Sequence, residues 1–229
     1  MFGLISAGLS AISVGCNAIG GALGTACGAI GSSLGTMLNM GGGLITTACN
    51  IIGVIGKIYN LMPQQANIEN DMTDMGVRIE KSDVKSDAFA SAKEYIDHLR
   101  NNIEISREDI NTLSDEKKKI HQIVGASLIA KGVSENYTMD IPSTFWVEAA
   151  LSALSSGQVQ KMLGGYQALG IPADLKAFSD RSLSLADNKS VYGILADALQ
   201  GVDSDKTPKT PEDLIMQRNS GHEQGARSA

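Results

Sequence analysis

The chain has 229 residues, of which 43% are hydrophobic and 19% charged, with a formal net charge of -6; these averages are those of an ordinary globular protein. The acidic balance, with no basic run beyond Lys117, Lys118 and Lys119, excludes nucleic acid as a primary ligand, because a phosphate backbone needs a Lys/Arg footprint. The averages hide a division, since Met1 to Gly56 contains no charged side chain and every Asp, Glu, Lys and Arg lies from Lys57 onward.

A membrane-spanning helix needs about 20 apolar residues, so residues 1–62 predict an apolar, membrane-inserting helical segment. Two longer helices turning at Gly41 to Gly43 are favoured; a further break at Gly20-Gly21 would make three shorter ones. The segment repeats every 11 residues: Gly20, Gly31, Gly42 and Gly53 fall in register, as do Cys16, Cys27 and Cys49, and Ile19, Ile30 and Ile52. Eleven residues make three helical turns, which stacks such positions along one side of a helix. Gly20, Gly24 and Gly28, then Gly31 and Gly35, add four-residue spacings that let helices approach closely. This glycine zipper predicts self-association, with Ser, Thr and Asn side chains lining water. Two plainer readings of the pattern are a membrane anchor and a helical hairpin buried on all sides within a soluble oligomer. The three cysteines read as small packing residues, because a thiolate or metal site is costly in apolar surroundings.

Residues 63–201 predict a helical soluble module. Ile68, Met72, Met75 and Ile79 form a weak helical stripe in a connector helix. From Ser86 to Lys131 apolar residues recur three or four apart, with a break near Ile105-Ser106 and an end at Gly132. Ser143 is the expected N-cap of a helix carrying Phe145, Trp146, Ala149 and Leu154, and Trp146 belongs either to the core or to a membrane interface. Shorter helices are expected over 158–169, stopped by Gly170, over 174–179, and over 189–199. Residues 202–229 are rich in Asp, Lys, Thr, Pro, Ser and Gly and predict a disordered tail, with Leu214-Ile215-Met216 as a candidate docking motif. The expected fold class is all-α.

No phosphate-binding loop, nucleophile elbow, HExxH motif or Cys/His cluster occurs, so neither an enzyme nor a cofactor is expected. His98 and His121 have no second ligand at metal-binding spacing. The first basic residue is Lys57, which does not fit a Sec signal peptide. With the charge-free glycine-rich hairpin ahead of a helical module, the chain resembles small pore-forming effectors of the bacterial type VI secretion system. The resemblance rests on Gly20, Gly24, Gly28, Gly31, Gly35, Gly42 and Gly53. It implies a secreted toxin that inserts into the target-cell membrane as a homo-oligomer and leaks ions, with an immunity protein or chaperone as partner. The competing expectations are a viral DNA-ejection channel and a membrane-anchored scaffold.

Overall fold

The computed structural model of the chain describes residues 2–40, 43–200 and 208–228. The described residues are helical, with no strand among them, as the all-α expectation required. The first three helices are α1 (Phe2–Ile19), α2 (Gly21–Thr36) and α3 (Gly43–Ile58). They are followed by α4 (Ile68–Lys81), α5 (Ala92–Asn102), α6 (Arg107–Asn111) and α7 (Asp115–Asn136). The C-terminal part holds α8 (Ser143–Leu151), α9 (Ser156–Leu169), α10 (Leu175–Ser179), α11 (Leu185–Leu199) and α12 (Pro211–Ser228).

The axis of the molecule is α7, on which α1, α2, α3, α4 and α5 all pack. Its stretch from Ile120 to Ala130 carries no charge, and Gln122 to Ala130 are all buried; such a helix is stable only when surrounded. It runs past Gly132, where the chain was expected to stop. Gly132 instead gives room to Leu61, whose side chain lies 2.9 Å from where a Cβ would stand. The closest crossing is between α4 and α7. A Cβ on Gly76 would strike the backbone of His121, and one on Gly125 the backbone of Met72. The reciprocal pairing makes the two helices antiparallel, with backbone against backbone at the crossing. Thus α4 is the main partner of the central helix, not a connector.

The N-terminal segment forms neither the two long helices nor the single stacked stripe. The chain reverses at Gly20 and Gly21, with φ of 87° and 54°, values that glycine adopts without penalty. The 11-residue register is therefore divided among three helices, and in each it marks the inward face. Cys16, Cys27 and Cys49 are fully buried, as are Ile19 and Ile52, with Ile30 at 5% exposure. One contiguous core contains these residues together with Ile123, Leu128, Trp146 and Leu163. Trp146 is a core residue.

Local signals account for several helix ends. The hydroxyls of Ser91, Ser106, Ser114, Ser155 and Ser184 accept hydrogen bonds from backbone N–H groups of the first turn, and Gly170 closes α9 in the left-handed conformation. Ser143 is one residue inside α8, and its hydroxyl accepts from Ser33 Oγ at 2.9 Å instead of capping. The predicted disordered tail is corrected over 211–228, where α12 forms and Leu214 is fully buried. Its docking is polar as well as apolar: Arg218 Nε donates to Glu148 at 2.8 Å, Arg218 Nη2 reaches Asp180 at 2.7 Å, and Gln158 donates to the Pro208 carbonyl at 2.9 Å.

Candidate functional site

The glycines expected to drive assembly serve mainly to pack this chain on itself. A Cβ on Gly24 would lie 3.1 Å from the Cys16 carbonyl oxygen, and one on Gly31 would lie 2.9 Å from Cys16 Sγ. Gly35 meets Leu9 and Ile12 in the same way, so all three let α2 close on α1. Gly53 makes room for Ile68, while Gly28 faces open space and Gly20 forms the turn. Gly42 lies outside the described residues. The cysteines are free, and burial pushes the Cys16 and Cys49 thiols up to about 12 and Cys27 well above its usual value. All three are protonated at neutral pH, the unreactive form.

The expectation of a membrane-inserting pore is overturned. Among the described residues no helix is long and apolar enough to cross a membrane; α1 has 18 residues and α2 and α3 have 16 each, against about 20 for a span. The energetic premise falls with it. Transfer to lipid gains by removing apolar surface from water, and the Ile, Leu and Cys side chains that were to supply that gain are already buried in this core. The ejection-channel and anchored-scaffold alternatives required the same spanning segment.

The apolar surface that α1 leaves uncovered lies on its other side. Ala7, Ala11, Val14 and Ala18 are spaced by four, three and four residues, which aligns them on one face. They face α4 and α7 across a cleft of about 570 Å³. The opposite wall is made by Gly76 and Glu80 of α4 and by Lys117, Ile120, His121 and Val124 of α7, with Leu113 ahead of it. Small side chains on α1 are what leave the space open. Val14 is 66% exposed at the edge of this cleft.

The polar groups of the cleft are few. His121 Nε2 is 3.4 Å from a Glu80 carboxylate oxygen, and the ring is also hydrogen-bonded to the Gly76 backbone. Burial holds the imidazole below its ordinary pKa, with Glu80 opposing that shift; the ring is therefore neutral at neutral pH. One turn earlier on the same helix, Lys117 is exposed and forms no ion pair among the described residues. No group of three His, Cys, Asp or Glu side chains is placed to hold a metal ion among the described residues.

Sequence reading missed this cleft. His121 shows no partner at metal-binding spacing and Lys117 reads only as one of three consecutive lysines, because Glu80 is far away along the chain. The available signal was the four-residue spacing of Lys117 and His121 at the start of a charge-free helical stretch. Comparison with protein-family models, curated proteins and solved structures finds no match to this chain, so the likeness to type VI effectors has no relative behind it.

Proposed function

We propose that the protein is a ligand-binding module, without catalytic machinery of its own, that takes up an apolar molecule in the cleft between α1 and the α4–α7 pair. The cleft itself carries the reading. Its volume of about 570 Å³ lies within the range of small-molecule sites, and it combines mostly apolar walls with a few convergent polar groups, as such sites do. The frame is suited to holding that shape: α4 and α7 are locked backbone to backbone at Gly76 and Gly125, so one wall is rigid and only α1 can adjust.

A neutral, solvent-sensitive apolar dye such as Nile red tests this. The wild-type chain is expected to bind it saturably with one site per chain, and Ala11→Trp, which fills the cleft from the α1 side, is expected to weaken binding at least about tenfold. Circular dichroism confirms that the variant retains its helices. Equal affinity in a folded Ala11→Trp chain would place the dye elsewhere and defeat the proposal.

A further inference from the structure

We infer that the cleft is gated by pH: it holds its apolar ligand while His121 is neutral and releases it when His121 gains a proton. The inference rests on the ligand-binding reading above and adds its regulation. His121 is part of the cleft wall, together with Gly76 and Glu80 of α4 and with Lys117 one turn before it on α7. A ligand that fills the cleft takes water away from this lining. Among the described residues that form the lining, His121 is the one whose ordinary titration falls between about pH 5 and 8.

The residue is held at the α4–α7 crossing. Its ring is hydrogen-bonded to the Gly76 backbone, its own backbone lies against Gly76, and its side chain is only 12% exposed. Two charges face the ring: Glu80 of α4, 3.4 Å from Nε2, favours the protonated form, and Lys117 of α7 opposes it. The other wall, α1, carries no charged residue. Both charges are present whether the cleft is empty or filled, so what a ligand adds is desolvation. For a largely buried ion that cost exceeds what a nearby partner returns, and the Glu80 side chain, 70% exposed, pairs from the solvent side. An imidazolium therefore opposes occupation of the cleft and an imidazole does not. By linkage the affinity is complete above the titration of His121 and is lost as pH falls through it. Burial holds that titration below its ordinary value, which places the fall on the acid side of about pH 6.5.

The experiment follows Nile red binding to the full chain from about pH 8 to about pH 5, with circular dichroism at each pH. The wild-type chain is expected to bind at least about threefold more weakly at the acid end, one linked proton setting a limit of about tenfold per pH unit. His121→Gln and His121→Phe, which cannot gain that proton, should bind with one affinity across the range. Substitutions of two exposed side chains test the same ring without altering it. Glu80→Gln removes the attraction and should move the fall to lower pH; Lys117→Met removes the repulsion and should move it to higher pH. A flat wild-type profile, a fall that survives in the His121 variants, or one that neither Glu80→Gln nor Lys117→Met displaces overturns the gate, as does a fall that merely follows loss of the helical signal. In each case dye binding at the alkaline end that Ala11→Trp weakens leaves the cleft reading standing. Absence of dye binding there defeats the cleft reading itself.

Discussion

Replacement of Gly125 by alanine is expected to cost about 3 kcal/mol of stability, at the upper end for overpacking a core, and so to lower Tm by roughly 10 °C for a chain of this length. The added methyl would fall on the Met72 carbonyl oxygen of α4. The obstacle is backbone, which cannot rotate aside, so α4 and α7 must separate along their whole antiparallel contact. Gly76→Ala meets the His121 backbone from the other side of the crossing and should have the same effect. The contrast is Gly28→Ala. Gly28 belongs to the four-residue glycine run, yet nothing lies within 4 Å of where its Cβ would stand. With the helix gaining from the loss of glycine, this change should stabilise by roughly 0.5–1 kcal/mol. Thermal unfolding of the three variants decides the matter; a tolerated Gly125→Ala would mean that α4 and α7 do not meet as described.

The second large effect is expected at Arg218. Glu148 is 3% exposed, and the guanidinium of Arg218 contacts both of its oxygens, at 2.8 and 3.4 Å, while also pairing with Asp180. Hydrogen bonding to Glu148 is the chief influence raising the Arg218 pKa, so the guanidinium keeps its charge at this contact. Removing one member of a buried pair strands the other charge and typically costs 3–5 kcal/mol. Arg218→Ala should lose about 3 kcal/mol, read as a lower denaturation midpoint, because undocking of α12 lets water reach Glu148 and relieves part of the penalty. Combining it with Glu148→Met should restore most of the loss, since no unpaired charge then remains. A midpoint unchanged in Arg218→Ala would show that α12 does not hold this position in solution.

The helix boundaries that were legible in the sequence are those set by local chemistry. Gly170 ends α9 in the left-handed conformation and Asp174 caps α10, and both effects act within a few residues. The division into three helices at Gly20-Gly21 was legible only as the less favoured reading, because the turn depends on both glycines taking positive φ, and adjacent glycines serve a turn and a packing face equally well. The larger misreading has a single physical cause. A charge-free, glycine-rich helix satisfies the requirements of a lipid bilayer and of a protein interior alike, and what separated them was a second charge-free stretch, Ile120 to Ala130, far along the chain.

The polar anchors were illegible for a similar reason. Arg218 lies in a segment whose composition resembles disorder, and its partner Glu148 sits on an apolar helix seventy residues away. Isolated glycines such as Gly76 and Gly125 leave no spacing pattern, so the tightest crossing in the molecule gave no signal. The cleft required three elements that lie far apart along the chain.

Amide hydrogen exchange on the intact chain in lipid-free buffer, followed by mass spectrometry, tests most directly whether the apolar N-terminal helices are part of the folded core. If they are, peptides from α2 and α3 exchange as slowly as those from α7, and all three are released together when denaturant is added, because they share one buried cluster. Fast exchange across 21–58 beside protected amides in α7 and α8 would contradict it.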